Sequence, residues 1–224
     1  MNAQPIRCLA TGSVPATLDE AGRFFEDMAG SELVQHWLPE PEPFCRPGQV
    51  WICRSDSHFG VYAVLQDEDI SNSAREENSR TWETGDTFEI FLRPLPGLRY
   101  FEFHVTPENQ KLQMAFESED FFRQRVASGL GKDDNWLAGV GLPAGSFSSE
   151  TQVEAPGKIW RVWARIPLAL FGSAAGFGAD REWLASFCRY DYTRGREKPV
   201  LSSTSPYPRK YFHDNTSWRK LLFD

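Results

Sequence analysis

The chain has 224 residues, of which 41% are hydrophobic and 25% are charged, and these values are typical of a globular protein rather than a disordered one. Its net charge of -7 argues against a nucleic-acid partner, because phosphate binding requires a basic surface. No apolar run is long enough to cross a membrane, and the N-terminus MNAQPIRCLATG lacks the apolar region of a signal peptide, so the sequence favours a cytoplasmic protein.

The first predicted element is a short helix near the N-terminus. Thr17 followed by Glu20 forms a capping-box pattern, and Gly30 ends the segment. The proline-rich stretch 38–48 then predicts an extended connector. Residues 1–49 are therefore expected to form a short helical extension packed on the rest of the chain.

From about residue 50 the hydrophobic pattern alternates with the period of two that is typical of strands. PLPGLR at 94–99 and PENQ at 107–110 are turn sequences, so the strands around them are expected to form an antiparallel meander. The predicted strands are VWICRSD, GVYAVLQDED, DTFEIFLRP, YFEFHVTP and KLQMAFES.

The second half continues this pattern with less regular connections. Residues 119–131 predict a helical turn or a crossing loop, 151–172 a hairpin around Pro156-Gly157 followed by a helical turn, and 182–193 another strand. After an irregular tail, KLLF is expected to close the sheet. The whole chain, 1–224, thus predicts a single all-β domain: an antiparallel β-sandwich of immunoglobulin-like or jelly-roll type.

Alternation assigns the side chains of these strands to two faces. The predicted core face carries Phe88, Ile90, Leu92, Phe101, Phe103, Val105, Leu112, Met114, Phe116, Trp160, Val162, Ala164 and Ile166. The opposite face carries Thr87, Glu89, Arg93, Tyr100, Glu102, His104, Lys111, Gln113 and, on the later strand, Arg161, Trp163 and Arg165.

This second face has two interpretations. It is either a solvated outer surface whose cross-strand charge pairs contribute little, or a binding surface for a hydroxyl-rich ligand. Sugars suit the second interpretation, because their C–H faces stack on aromatic rings and their hydroxyls bond to carboxylates, guanidinium groups and amides.

Four segments carry a resemblance to a known family. WETGDTFEIFLRP, YFEFHVTP, WRVWARIP and the ending STSP…FHDNTSW…LLF occur in that order between Val50 and Phe223. They resemble the family 9 carbohydrate-binding modules and their DOMON-like relatives. The resemblance implies a non-catalytic β-sandwich that binds a mono- or oligosaccharide, commonly as an accessory to glycoside hydrolases in carbohydrate catabolism.

In that family, two tryptophans hold the sugar and polar groups bind its hydroxyls. Trp82 matches the first tryptophan, and Thr204 stands where the second is expected. The second ring is therefore expected from Tyr207, Tyr211 or Phe212. The polar residues implied by the resemblance are Asp86, Glu89, Glu102, His104 and Asn215. Arg93 or Arg189 is a further candidate donor, and His213 is expected to organise the closing loop through hydrogen bonds.

The resemblance implies no organic cofactor, but relatives carry structural calcium at acidic loops. Asp67, Glu68 and Asp69 are the corresponding acids here, and calcium takes several oxygen ligands. A solvated acidic turn is the other interpretation of these three residues.

Three further functions remain open at this point. A glycoside hydrolase needs two carboxylates, and Glu89 and Glu102 lie on adjacent predicted strands. Haem binding needs axial ligands such as His104 and Met114, but the alternation predicts that these two face opposite ways. The aromatic loop 205–218 would also suit docking to a protein partner.

Overall fold

The computed structural model describes residues 4–130, 135–154, 158–174 and 182–224, and within them the chain forms twelve strands and three α-helices. The helices are α1 (Leu18–Phe25), α2 (Thr81–Thr84) and α3 (Glu119–Ser128), and a 3-10 helix covers Leu168–Ala174. The strands are β1 (Ile6–Ala10), β2 (Ser31–Glu32), β3 (Gly48–Arg54), β4 (His58–Gln66), β5 (Thr87–Pro94), β6 (Tyr100–Val105), β7 (Lys111–Phe116), β8 (Ser148–Glu154), β9 (Ile159–Pro167), β10 (Trp183–Asp191), β11 (Val200–Ser203) and β12 (Arg219–Phe223).

Among the described residues, no helix is both long and apolar enough to pass through a bilayer.

The strands form one curled sheet whose two halves pack face to face. Their order is β7-β6-β5-β10-β12-β1-β3-β4-β9-β8, with β11 paired to β10 and β2 paired to β3. The ring of Phe59 on β4 lies 4.9 Å from that of Trp183 on β10, although these strands are far apart in the sheet order. The shared core between the halves is that of a β-sandwich, which confirms the predicted all-β fold class.

The junction between the halves is parallel rather than antiparallel. Strand β1 pairs in parallel with β12, with Ile6 opposite Leu221, and in parallel with β3, with Cys8 opposite Ile52. Both Ile6 and Cys8 are fully buried. Residues 1–49 thus contribute strands β1 and β2 to the sheet in addition to the expected helix.

The inward alternation predicted for β5, β6 and β9 is confirmed. These strands turn their apolar residues into the core between the two halves, where the rings of Phe88 and Phe187 stack at 6.4 Å. The predicted members found there are Phe88, Ile90, Leu92, Phe101, Phe103, Val105, Trp160, Val162, Ala164 and Ile166.

The alternation predicted for β7 is wrong by one residue. Ala115 pairs with Phe101 and faces the core, whereas Met114 pairs with Glu102 and faces the other side. The prediction placed the large apolar residues of β7 in the core. Because β7 is covered on both faces, its larger side chains instead pack on the outer face, beneath the segments that cover it. The residues turned to that side are Leu112, Met114 and Phe116.

Helix α1 covers the outer face of the other half. Thr17 caps it by accepting the Glu20 N–H at 3.2 Å, as the capping pattern predicts. The Glu20 carboxylate accepts the Ala16 N–H at 2.8 Å, one residue before the N–H that a capping box uses. Phe25 stacks on Tyr62 at 6.0 Å. Trp163, expected to point outward, does so but is fully buried beneath this helix.

The segment after β7 is a helix rather than a crossing loop. Ser118 caps α3 by accepting the Phe121 N–H at 3.1 Å, and Gly129 ends it with a left-handed φ of 81°. The predicted hairpin turn at Pro156-Gly157 lies outside the described residues, but the strands on either side of it pair as β8 and β9.

We expect Gly60→Ala to destabilise the protein by about 1–3 kcal/mol, the usual cost of overpacking a core. A methyl group at this position of β4 would lie 2.2 Å from the Trp163 ring and 2.9 Å from the Cys53 sulfur. Gly12→Ala is the matched control, because no atom lies within 4 Å of its added methyl. Urea denaturation measures both, and an equal stability of the two variants would contradict the packing of Trp163.

Candidate functional site

A pocket of about 350 Å³ opens on the face of β5 and β6 that carries Glu89, Glu102 and His104, here called the acidic face. Three segments lie over this face and leave the pocket between them: α3, residues 135–142 and the closing loop 204–218. Of the two interpretations of this face, a solvated outer surface does not describe Glu89 and Glu102, which are only 3% exposed. The lining residues are Trp82, Glu89, Glu102, Met114, Phe116, Phe122, Arg125, Val126, Trp136, Val140, Tyr190, Lys210, Tyr211, Phe212 and His213.

Two tryptophans form one wall of the pocket. Trp82 follows Thr81 in the single-turn helix α2, and its ring meets Trp136 edge to face at 5.3 Å. The Arg125 guanidinium fixes the segment of Trp136 by donating to the backbone oxygens of Trp136 at 2.6 Å and Ala138 at 2.9 Å. Trp136 therefore lies beside Trp82 rather than across the pocket from it.

The opposite wall comes from α3 and the closing loop. Phe122 stacks on the imidazole of His213 with ring centroids 3.5 Å apart. The Tyr100 hydroxyl contacts Nδ1 of His213 at 2.8 Å, which orients the ring. Tyr211 and Phe212 complete this wall, so two of the three candidate second rings line the pocket.

Glu89 and Glu102 line the base of the pocket, and together with the fully buried His104 they are here called the glutamate cluster. Nε2 of His104 lies 2.6 Å from Glu102 and 3.3 Å from Glu89, and Nδ1 lies 2.9 Å from the Thr81 hydroxyl. Strand pairing produces this arrangement, because Glu89 is directly opposite His104 on the neighbouring strand. The predicted proximity of these three residues is thus realised, with His104 behind the two carboxylates.

Burial dominates the electrostatics of this site. It raises the pKa of Glu89 well above its usual range, and the neighbouring Glu102 carboxylate raises it further. Burial also lowers the pKa of His213 to about 4, although the Glu102 charge opposes this shift. A neutral His213 therefore lines the pocket near pH 7.

Three sequence-predicted residues lie away from the pocket. Asp86 accepts the backbone N–H groups of Ser71 and Tyr192 at 2.7 and 2.8 Å. The Tyr207 hydroxyl is buried and lies 2.9 Å from Ser186 Oγ and 2.8 Å from a backbone oxygen. Asn215 accepts a hydrogen bond from Arg93 at 2.8 Å. All three organise the polypeptide around the pocket, and none of them lines it.

Several lining residues were not predicted. Trp136 was left unassigned because it lies in an irregular segment where alternation gives no face. Phe122 lies on α3, and a helical pattern does not reveal which strand surface the helix covers. The closing loop packs three of its rings inward, at Tyr207, Phe212 and Trp218, so these rings do not form an exposed docking surface.

The parity argument against haem is also corrected. Met114 lies on the acidic face together with His104, because β7 is turned by one residue from the predicted register. Both ring nitrogens of His104 are nevertheless engaged, one by Thr81 and one by Glu102. An iron could therefore reach Nε2 of His104 only by displacing its contact with Glu102.

The three acids considered for calcium, Asp67, Glu68 and Asp69, do not form one set of ligands. Asp67 is buried and contacts Arg189 at 2.5 Å, Glu68 pairs with Arg46 and Lys158 at the surface, and Asp69 accepts a backbone N–H. Asp67, Glu68 and Asp69 therefore do not fit a shared calcium ion.

Asp67 instead meets Asp86 and Asp191, here called the aspartate cluster, with carboxylate oxygens within 4.8 Å of one another. The Arg189 guanidinium supplies positive charge to this cluster, contacting Asp67 at 2.5 Å and Asp191 at 3.2 Å. It also donates to the Gln66 backbone oxygen at 2.6 Å. Arg189 is 1% exposed, so the cluster and its cation are buried together.

We expect Arg189→Met to destabilise the protein by about 3–5 kcal/mol at pH 8, because it leaves buried carboxylates without their cation. Burial raises the pKa of Asp86 to about 8 and that of Asp191 to about 6. The folded state therefore binds more protons than the unfolded chain, and the contribution of these acids to stability falls as the pH rises from about 4 to 8.

In Arg189→Met, the stability of the fold should depend more steeply on pH. The substitution should therefore cost less stability at pH 5 than at pH 8. Urea denaturation at both pH values measures it. Arg7→Met is the control, since its exposed pair with Asp224 should contribute less than about 1 kcal/mol at either pH. An equal loss for Arg189→Met at both pH values would contradict the proposed coupling.

No protein-family model matches the chain, and no curated protein matches its sequence. Among solved structures it is similar to a Bacteroides uniformis ATCC 8492 protein proposed to bind carbohydrate, with a TM-score of 0.71 and 13% identity over 99% of this chain and 100% of the other.

It is also similar to a family 9 carbohydrate-binding module from Caldicellulosiruptor kristjanssonii solved with glucose, with a TM-score of 0.63 and 12% identity over 97% of this chain and 95% of the other. For such a module from the same organism solved with cellotriose, the TM-score is 0.64 and the identity 12%, over 99% and 94% of the two chains. The chain thus has the fold of a family 9 carbohydrate-binding module.

Proposed function

We propose that this domain binds a mono- or oligosaccharide, without catalysis, in the pocket beneath Trp82 and Trp136. The same proposal treats residues 1–224 as a single binding domain. The observation that carries it is a pocket in which aromatic side chains surround two buried carboxylates.

This combination suits the surface of a sugar. The C–H faces of a pyranose can stack against an indole ring, and burial of such aromatic anchors contributes much of the binding energy of a site. The ring hydroxyls can donate to or accept from the carboxyl groups of Glu89 and Glu102 at the base of the pocket. Hydrogen bonds of this kind are strong where water is excluded.

The arrangement of the carboxylates favours recognition over hydrolysis. Glycosidases place two carboxyl groups on either side of the scissile bond. Here Glu89 and Glu102 lie side by side and contact the same nitrogen of His104, at 3.3 and 2.6 Å. A ligand in the pocket would meet both acids on one side only.

The structural neighbours indicate which saccharides to test first. Two modules with the same fold were solved with glucose and with cellotriose. The pocket is bounded by walls on two sides, so it suits a single sugar unit or the end of a chain better than an extended polysaccharide surface. Glucose, cellotriose and a panel of other neutral saccharides are therefore the appropriate probes.

We expect Trp82→Ala to weaken saccharide binding by at least about 30-fold, since truncating a central aromatic anchor costs about 2 kcal/mol or more. Isothermal titration calorimetry with the panel measures this change. Trp136→Ala is a second variant with the same expected direction, and circular dichroism checks that both remain folded.

Phe44→Ala is the matched control, because Phe44 is an exposed aromatic residue that does not line the pocket. The saccharide affinity of this variant should equal that of the wild type. Absence of wild-type binding across the whole panel, or full affinity in Trp82→Ala, would overturn the proposal. Release of shorter products from cellotriose would show that the non-catalytic part is wrong.

A further inference from the structure

Two histidines from different parts of the chain direct the same ring nitrogen toward one glutamate. Nε2 of His104, on β6, lies 2.6 Å from one oxygen of Glu102, and Nε2 of His213, in the closing loop, lies 3.8 Å from the other oxygen. Glu89 adds a second carboxylate, 3.3 Å from the His104 nitrogen. We propose that these four side chains bind a divalent transition-metal ion at the base of the pocket.

This inference goes beyond saccharide binding and does not depend on it. The ligand atoms of the glutamate cluster all lie within 4.8 Å of one another, and all three residues are buried. One ion can therefore reach these three residues after small side-chain movements, and His213, 3.8 Å from Glu102, must move toward them to complete the set. The contact of 2.6 Å must lengthen to about 3 Å or more, because each nitrogen or oxygen ligand lies about 2 Å from a bound zinc ion.

Each imidazole is already oriented as a metal ligand is. Nδ1 of His104 is 2.9 Å from the Thr81 hydroxyl, and Nδ1 of His213 is 2.8 Å from the Tyr100 hydroxyl. Metal-bound histidines usually donate their other N–H to an oxygen, which fixes the tautomer and the ring orientation. In the tautomer in which Nδ1–H donates to the hydroxyl, each Nε2 has a lone pair for a metal ion. Binding of the ion would select that tautomer, since without an ion the 2.6 Å contact with Glu102 requires Nε2–H of His104 as its donor.

Glu102 provides a second, independent observation that points to a ligand in this cluster. Its Oε2 atom is buried and has no hydrogen-bond partner among the described residues, and the whole residue is only 3% exposed. A buried carboxylate oxygen without a partner is costly. A cation between Glu102 and His213 would satisfy this oxygen directly.

The charges of the two glutamates give a further reason to expect a cation in this cluster. The carboxylates of Glu89 and Glu102 lie together in a buried environment, and each pairs with histidine. A divalent cation in the cluster would compensate two neighbouring buried carboxylates at once.

The donor set selects the class of ion. Calcium and magnesium prefer oxygen ligands, whereas two imidazole nitrogens with carboxylates suit zinc and its first-row neighbours. The wall of Trp82 and Trp136 leaves one side of the cluster open to the pocket. A bound ion would therefore keep a coordination position accessible to water or to a ligand hydroxyl.

The test is titration of the full-length, EDTA-treated protein with Zn²⁺ in a non-coordinating buffer, in the absence of saccharide. We expect one equivalent to bind. Glu102→Gln and His213→Gln should each weaken binding by at least about 100-fold, because loss of outer-shell partners alone weakens metal sites by about 10–100-fold. Titration with Co²⁺ should give visible absorption bands that both variants lose.

His58→Gln is the matched control, because His58 lies on β4 outside the pocket and contacts Ser57. It should bind Zn²⁺ as the wild type does, and circular dichroism checks the fold of every variant. Absence of saturable Zn²⁺ binding by the wild type, or wild-type affinity in either Glu102→Gln or His213→Gln, would overturn the proposal. None of these outcomes bears on saccharide binding, which is measured separately on the metal-free protein.

Discussion

Burial of both faces of the β5–β6–β7 half-sheet is the constraint on which the rest of this structure depends. One face packs against the other half of the sandwich, and the acidic face packs under α3, residues 135–142 and the closing loop. A strand covered on both sides has no solvated face for its polar residues. Each buried polar group must then find a partner inside the protein, and the pocket exists where the three covering segments do not meet.

The protein satisfies this requirement differently in its two buried acidic clusters. The aspartate cluster contains a permanent cation, since the guanidinium of Arg189 stays protonated and also bonds to the backbone. In the glutamate cluster, the two carboxylates contact imidazole nitrogens rather than a guanidinium, and Oε2 of Glu102 has no hydrogen bond in the described part of the chain. The first cluster is therefore closed, whereas the second can accept a further group from the pocket.

Alternation predicted the residues that pack between the two halves, because on β5, β6 and β9 only one face meets the main core. It failed on β7, where Met114 and Ala115 are both apolar and both faces are covered. The proximity of Glu89, Glu102 and His104 followed from local strand pairing. Trp136 and Phe122 could not be predicted, since their place depends on how α3 and an irregular segment fold back across the sheet.

The position of β12 has a consequence for how the domain forms. In the sheet, β12 lies between β10 and β1, where the two halves join. Among the described strands it is also the last one along the chain. During synthesis, β10 and β1 can each pair with their other neighbours while the edges that receive β12 remain open. Joining the two halves then requires contacts between residues more than 200 positions apart, such as Ile6 with Leu221. Such distant pairing is slow, and unpaired strand edges promote association between chains, so the domain is expected to be prone to aggregation until β12 has docked.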